Sequence, residues 1–377
     1  MEKKIVELSS KTLLVDVSEY PLNFLIFPHR LTANAYVGCL HGCEYCYAKW
    51  YCKRDEIKVK LNAPEILKKE LQNRIVKGKP RIPVCFGSIS DPYQAIESKY
   101  QLTRKMLEVC DELSYPTFVV TKSNLVTKDK DVLSSLAKRN LAEVNFTVTP
   151  VKAKILSILE PQAPSNKKRL EAMKTLTQGG GVPCNLYLSP ILPYISDDCL
   201  PSVLRKASES GSKCCGAVFL KIRPVIWKNL TGFLQANNSS LVKECDVVNL
   251  KGGVADMVAT YEHLYFKRGT KDLSGYALPE MSYRRGLMEY IAEECKKLGM
   301  IFTSEEFIDL WTTPRSDCID IGVHSPTVYD IIQFMKSQNP KETSLEETIE
   351  HIKKNFETEK NWEKLMRKYW DKVKLLI

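Results

Sequence analysis

Six short apolar runs alternate with helical segments between residues 33 and 222, and this alternation limits the folds open to the chain. The pattern predicts a parallel sheet with right-handed crossover connections. Six units are too few for a complete eight-stranded barrel, so the predicted fold class is α/β, an open or partial (βα)6 TIM-like barrel. The predicted strands are residues 33–38, 83–87, 117–121, 143–149, 182–189 and 217–222.

The same pattern divides the chain into three parts. Residues 1–32 form a mixed lead-in that covers one end of the core, and residues 33–225 hold the predicted barrel. The alternation stops after this point, and residues 226–377 are predicted to be a mainly helical extension, dense in Lys and Glu towards its end.

Composition points to a soluble globular protein. The chain has 377 residues, of which 44% are hydrophobic, enough for a large buried core. Its 13 cysteines are an odd number, no secretory signal is recognisable, and no apolar run approaches the ~20 residues of a membrane span. We therefore expect a cytoplasmic protein in a reducing compartment, without a membrane partner. Composition leaves the oligomeric state open.

The first predicted strand leads directly into a loop with three cysteines, Cys39, Cys43 and Cys46, in the spacing C-x-x-x-C-x-x-C. Three thiolates on one short loop can surround an inorganic core, and Gly38 and Gly42 allow the backbone to wrap around it. An ordinary [4Fe–4S] site uses four cysteines, so a three-cysteine loop leaves one iron open and indicates a reaction centre. The competing interpretation is a non-catalytic module with structural zinc, but a second C-x-x-C pair that would complete a zinc tetrahedron is missing.

Polar residues follow the next three predicted strands. Ser90 comes after the second strand, Lys122 after the third, and Thr149 closes the fourth. Because parallel α/β folds bind ligands at the carboxyl ends of their strands, these side chains are candidates for contact with a ligand. Lys122 would offer a cation to a ligand carboxylate. The structural alternatives are helix-cap or turn roles for Ser90 and Thr149, and an exposed loop lysine for Lys122.

The string G-C-L-H-G-C-E-Y-C-Y-A at residues 38–48 resembles the signature of the radical S-adenosylmethionine (radical SAM) superfamily. Three further strings are similar to its spore photoproduct lyase-like branch: S-D-P-Y-Q at 90–94, V-T-K-S at 120–123 and L-E-P-Q-A-P-S at 159–165. The resemblance covers roughly residues 33–222. It implies a partial (βα)6 barrel and a [4Fe–4S] cluster whose open iron is chelated by S-adenosyl-L-methionine. The reduced cluster would cleave that molecule to a 5′-deoxyadenosyl radical, which takes a hydrogen atom from an unidentified substrate.

The resemblance also implies roles for single residues. Cys39, Cys43 and Cys46 would bind the cluster. Tyr45 and Tyr47 match tyrosines that flank the third cysteine, of which one lies near the cofactor and both are candidates for a hydrogen relay. By the same resemblance, Ser90, Lys122 and Thr149 would contact S-adenosylmethionine, and a reductant such as ferredoxin or flavodoxin would supply electrons.

One position departs from the branch. Spore photoproduct lyases carry a cysteine, their hydrogen donor, two residues before the serine that Ser90 matches, and here that residue is Ser88. A serine O–H bond is too strong for this role, so repair of a DNA lesion is not the leading interpretation. A nucleic-acid lesion lyase or nucleic-acid-modifying enzyme is the alternative, and basic residues such as Arg169, Arg223 and Arg284 could line a groove for it.

Overall fold

The protein is described here from a computed structural model. It covers residues 3–16, 31–50, 52, 55–79, 81–244, 256–271, 275–304, 334–335, 337–338, 343–355, 363, 366–367 and 370. Much of the predicted helical extension, including residues 305–333, lies outside these ranges. None of the helices in the described ranges combines the length and the apolar character needed to cross a lipid bilayer.

Eight strands form the main sheet. The strands in the described ranges are β1 Lys4–Leu8, β2 Leu14–Asp16, β3 Leu31–Ala33, β4 Tyr36–Val37, β5 Glu56–Lys60, β6 Val84–Phe86, β7 Thr117–Thr121, β8 Ala142–Val148, β9 Cys184–Ile191, β10 Cys214–Phe219, β11 Thr270–Lys271, β12 Ala277–Leu278 and β13 Ile301–Ser304. The order in the main sheet is β13-β10-β9-β8-β7-β6-β3-β2. All neighbours are parallel except β2 and β3, so an open sheet of parallel strands confirms the predicted α/β class.

Helices connect the strands. They are α1 Ala63–Val76, α2 Glu97–Tyr100, α3 Leu102–Glu112, α4 Lys130–Ala137, α5 Ala153–Leu159, α6 Asn166–Gly180, α7 Leu200–Glu209, α8 Pro224–Glu244, α9 Met257–Glu262, α10 Met281–Lys297 and α11 Leu345–Asn355. Residues of α1, α3, α4, α6, α7 and α10 share one large apolar core with the sheet. This layer of helices on a parallel sheet is the arrangement that the strand–helix alternation predicts.

Alternate residues of each strand face opposite sides of the sheet. Val84 and Phe86 of β6 belong to the helix-facing core, whereas Cys85 between them packs in a separate small cluster with Phe118. On β8, Glu143 is also outside the helix-facing core, although it is only 4% exposed. The face of the sheet opposite the helix-facing core is therefore partly polar.

The first predicted strand is wrong in its extent. Residues 33–38 were expected to be continuous, but β3 ends at Ala33 and β4 pairs instead with β5, in a second sheet of order β1-β5-β4. The physical reason is Asn34, whose amide donates to Ser88 Oγ (3.0 Å) and accepts from Ile89 N (3.4 Å), which turns the chain away from the main sheet.

Two further findings were not expected from the sequence. β13 adds a parallel strand beside β10 although it lies within the segment predicted to be mainly helical. Cys214, at the start of β10, is disulfide-bonded, which the prediction of a reducing compartment did not anticipate.

Candidate active site

The three-cysteine loop lies between β4 and a 3₁₀ turn at Tyr47–Trp50, at the carboxyl edge of the main sheet. It starts at Gly38, whose φ of +93° is open to glycine but strained for other residues. A Cβ atom at this position would lie 2.8 Å from the backbone oxygen of Glu56. Gly38 is therefore required where the loop leaves β4.

The thiols of the loop are close to one another. Burial raises the pKa of Cys39 to about 12, with further contributions from the negative charge of Asp91 and from Cys46. Burial also raises the pKa of Cys43 well above its usual range, and the charges of Glu160, Cys39 and Cys46 add to this effect. Three neighbouring thiolates, of which Cys43 is buried and Cys39 and Cys46 are half-buried, are unfavourable alone, so the loop suits a positively charged inorganic group that compensates them.

The donor set fits a cluster better than one ion. Within the described ranges, no three Cys, His, Asp or Glu side chains are arranged to hold a single metal ion. A cluster makes a different demand, because each thiolate binds a separate iron of a larger core. Cys52 is a fourth thiol near this site, since burial and then the neighbouring Cys46 raise its pKa. The sequence analysis did not single out Cys52.

Gln94 fixes the backbone on both sides of the first cysteine. Its side-chain amide donates to the Gly38 oxygen (3.1 Å) and accepts from the Leu40 nitrogen (2.9 Å). Gln94 is completely buried and comes from the loop after β6. These two bonds hold Cys39 against the edge of the sheet.

Asp91, in the same loop as Gln94, connects the cysteine loop with the end of β7. One carboxylate oxygen accepts from the Thr121 hydroxyl (2.6 Å) and the other from the Lys122 backbone nitrogen (2.7 Å). The second oxygen also lies 3.5 Å from Nδ1 of His41, which belongs to the cysteine loop. Burial lowers the pKa of His41, although the charge of Asp91 opposes this, so the imidazole favours its neutral form.

Glu160 is the centre of a buried network beneath the loop. Its carboxylate accepts hydrogen bonds from the hydroxyls of Tyr45 and Thr149 and forms ion pairs with Lys122 and Arg169. Burial alone would raise the pKa of Glu160, but the cations of Lys122 and Arg169 hold it well below its usual range. The carboxylate is therefore charged at any physiological pH.

The predicted cofactor residues Lys122 and Thr149 come together in this network. Nζ of Lys122 lies 3.2 Å from Oε1 of Glu160, 3.1 Å from the Ser189 oxygen and 3.4 Å from the Thr149 hydroxyl. It also lies 5.6 Å above the ring of Tyr45. Lys122 is not the exposed loop lysine of the alternative interpretation, because its side chain is only 14% exposed.

Ser90 differs from these residues in having no partner. It is 3% exposed, and its buried hydroxyl forms no hydrogen bond with any residue in the described ranges. A buried hydroxyl without a partner loses its hydration without compensation, so such atoms are rare in native proteins unless a ligand supplies the missing bond. Ser90 therefore fits its predicted contact with a ligand better than the alternative cap role.

The two predicted tyrosines are placed differently. The hydroxyl of Tyr45 is buried against Thr149 (3.0 Å) and Glu160. Tyr47 is 44% exposed, and its hydroxyl donates to the backbone oxygen of Ser88. Of these two tyrosines, only Tyr47 therefore has a side chain that a further molecule can reach.

Sequence reasoning missed the roles of Glu160, Gln94 and Arg169, although the strings at 159–165 and 90–94 contain the first two. Arg169 was counted with basic residues that could line a groove, and that prediction is wrong for Arg169 and Arg284. Arg169 is completely buried on Glu160, and Arg284 is 2% exposed and donates to the Pro279 oxygen (2.8 Å). For Glu160, the signal that the sequence offered was a Glu-Pro pair directly after the buried end of a helix.

Comparison with known proteins gives a consistent result. A family model described as the radical SAM superfamily matches residues 34–207. An uncharacterized protein of Methanocaldococcus jannaschii is 32% identical over 199 residues, which are 50% of this chain and 72% of that protein. An uncharacterized protein of Mycobacterium tuberculosis is 26% identical over 185 residues, and the chain spans only about half (53%) of its length.

Among solved structures, spore photoproduct lyase has a similar fold. A variant with bound AdoMet and dinucleoside spore photoproduct superposes with a TM-score of 0.59, covering 80% of this chain and 81% of the lyase. The sequence identity is 13%, so the comparison supports the fold and no more.

Proposed function

Because the chain belongs to the radical SAM superfamily, we propose that it is a radical SAM enzyme with one [4Fe–4S] cluster bound by Cys39, Cys43 and Cys46. The observation that carries the proposal is the set of three free cysteines on one short loop at the carboxyl edge of the sheet. With three cysteine ligands, one iron is left for S-adenosyl-L-methionine. When bound, the reduced cluster and this cofactor together supply a 5′-deoxyadenosyl radical that abstracts hydrogen from the substrate.

The residues around the loop would bind and orient the cofactor. We assign Ser90 to a direct hydrogen bond with the cofactor, because its buried hydroxyl lacks a partner among the residues that the structure describes. Lys122 would redirect the donor that now points to the Ser189 oxygen to the cofactor's carboxylate, while keeping its ion pair with Glu160, since an ammonium group has three donors. Thr149 would support Lys122 from the end of β8.

We assign the tyrosines different tasks. Tyr45 would hold the loop and face the cofactor with its ring, because its hydroxyl is already bonded to Glu160 and Thr149. Tyr47, which is partly exposed, is the better candidate for exchanging a hydrogen atom with a bound molecule. The substrate is left unassigned, because a radical SAM barrel supports many reactions.

The proposed chemistry sets conditions on the surroundings. A cluster with an open iron needs thiolates that stay reduced, and the three loop cysteines are free although Cys214 is disulfide-bonded, so we propose a cytoplasmic location. Electrons would come from a one-electron protein reductant, such as ferredoxin or flavodoxin.

An anaerobic reconstitution experiment tests the proposal. The purified chain is loaded with iron and sulfide and reduced with dithionite, and 5′-deoxyadenosine is measured after addition of S-adenosylmethionine. We expect the product from the wild type and from the control Cys199→Ala, and none from Cys43→Ala. A protein that retains zinc and takes up no iron would instead support the structural zinc alternative.

A further inference from the structure

The turn after α5 supports the cysteine loop along its length. The backbone oxygen of Leu159 accepts from the nitrogen of Glu44 (2.9 Å), and the nitrogen of Gln162 donates to the oxygen of His41 (3.1 Å). Both loop residues lie next to or between the proposed cluster cysteines. The turn and the loop are therefore fixed to each other by backbone bonds on either side of Glu160.

Glu160 adds a side-chain connection at the middle of this contact. Its carboxylate bonds to Tyr45 of the loop, to Thr149 after β8 and to Lys122 after β7. A single buried carboxylate thus joins the cysteine loop to two strand ends of the main sheet. Arg169 of α6 holds the other carboxylate oxygen.

Arg169 is itself fully engaged. Besides Glu160, its guanidinium donates to the Pro164 oxygen (2.8 Å) and to the Thr147 oxygen (3.0 Å), and the side chain is completely buried. A buried ion pair with such geometry defines one conformation, even where its net contribution to stability is small. The pair is well suited to hold a functional loop in place.

We propose that Glu160 and Arg169 are positioning residues that dock the cysteine loop on the sheet and set the reduction potential of its cluster through their opposite charges. This inference rests on the proposed function. Loss of the Glu160 charge leaves the cations of Lys122 and Arg169 without their shared carboxylate beside the loop, which makes uptake of an electron easier. Loss of the Arg169 charge leaves the carboxylate less compensated, which makes uptake harder.

The test compares Glu160→Gln, Arg169→Gln and the double variant by redox titration of the reconstituted protein, followed by electron paramagnetic resonance (EPR). We expect a positive shift of the midpoint potential for E160Q, a negative shift for R169Q, and a value near the wild type for the double variant. Matched controls are Glu171→Gln and Lys168→Gln, which change the same charges at exposed positions of α6 and are expected to shift the potential little.

A purely structural role would shift both single variants in the same direction or by no more than their controls, and that result overturns the inference. If the single variants take up no iron, the double variant decides. If the second substitution restores iron uptake, the proposed role of the ion pair is supported, because the two buried charges are then removed together. If iron uptake stays lost in the double variant, the inference is overturned. A wild type without iron overturns the proposed function and this inference with it.

Discussion

The side-chain amide of Gln94 holds the backbone on both sides of Cys39. It donates a hydrogen bond to the Gly38 oxygen and accepts one from the Leu40 nitrogen. The amide is neutral and completely buried, so it can hold the loop at any pH without opposing the charge of a cluster. Gln94 thereby fixes the first of the three proposed ligands to the loop after β6.

Replacing Gln94 by leucine should reduce iron uptake. Gln94→Leu preserves the volume approximately but leaves the Gly38 oxygen and the Leu40 nitrogen without partners, at a cost of about 1–3 kcal/mol each. We expect clearly less iron per chain after reconstitution than in the wild type. The same substitution at the exposed Gln72 of α1 is the control. Normal iron content in Q94L would show that the two hydrogen bonds of Gln94 are not needed for cluster binding.

Ser90→Ala should separate cofactor binding from stability. The Ser90 hydroxyl has no partner in the described part of the chain, so its removal should leave the free energy of unfolding unchanged or slightly raised. Binding of S-adenosylmethionine to the reconstituted protein should weaken by about fivefold, the value of roughly one hydrogen bond.

Isothermal titration calorimetry and chemical denaturation measure the two effects. Ser157→Ala, on the exposed side of α5, is expected to change neither. Undiminished affinity in S90A would remove Ser90 from the cofactor site.

The two tyrosines should respond differently to loss of their hydroxyls. Tyr45→Phe breaks buried bonds to Thr149 and Glu160 and should lower the free energy of unfolding by about 1–2 kcal/mol. Tyr47→Phe removes a hydroxyl on a half-exposed side chain and should change it by less than about 0.5 kcal/mol. Anaerobic urea denaturation of the cluster-free chain provides both values. Equal losses of unfolding free energy in the two variants would mean that the bonds of the Tyr45 hydroxyl do not stabilise the fold more than that of Tyr47.

Glu97 should make stability depend on pH. Burial raises the pKa of Glu97 to about 7, while the hydrogen bond from Tyr36 opposes the shift. Between the unfolded value of 4.5 and about 7, the folded chain keeps a proton that the unfolded chain has released. Stability from this group is therefore lost as the pH rises through this window, by an amount on the order of 3 kcal/mol.

Glu97→Gln should remove this dependence, because the amide does not titrate. Denaturation at pH 5 and pH 8 should show a smaller loss for E97Q than for the wild type and for the exposed control Glu262→Gln. If E97Q and the wild type lose the same stability over this range, the carboxyl group is already ionised at pH 5.

Local patterns predicted most of the parallel strands to within a few residues, although the first was wrong in its extent and the sixth, predicted at 217–222, is β10 at Cys214–Phe219. The run 117–121 is bounded by Pro116 and Lys122, and β7 occupies the same residues. The cysteine spacing identified the three neighbouring thiols without a structure, because ligand spacing on one loop is a local property.

Long-range partners could not be predicted in this way. Arg169 stands in a Lys-Lys-Arg run that is typical of a solvated surface, and only the fold brings it to Glu160. Gln94 carries no charge that would have drawn attention to it. β13 is a short run whose neighbour β10 lies far away in sequence, and its pairing depends on α10 returning the chain to the sheet.

Cys52 provides a test of the open iron. If Cys52 were a fourth ligand beside Cys46, the cluster would have no position for S-adenosylmethionine. We expect Cys52→Ser to retain the iron content of the wild type and its cleavage of S-adenosylmethionine. Loss of the cluster in C52S, while Cys199→Ala keeps it, would contradict a three-cysteine site.

The EPR spectrum of the dithionite-reduced, reconstituted wild type, recorded with and without S-adenosylmethionine, tests the open iron most directly. We predict the signal of a reduced [4Fe–4S] cluster that changes when the cofactor is added, because the cofactor binds an iron of the cluster itself. A cluster signal that is identical in both samples would contradict the proposed function.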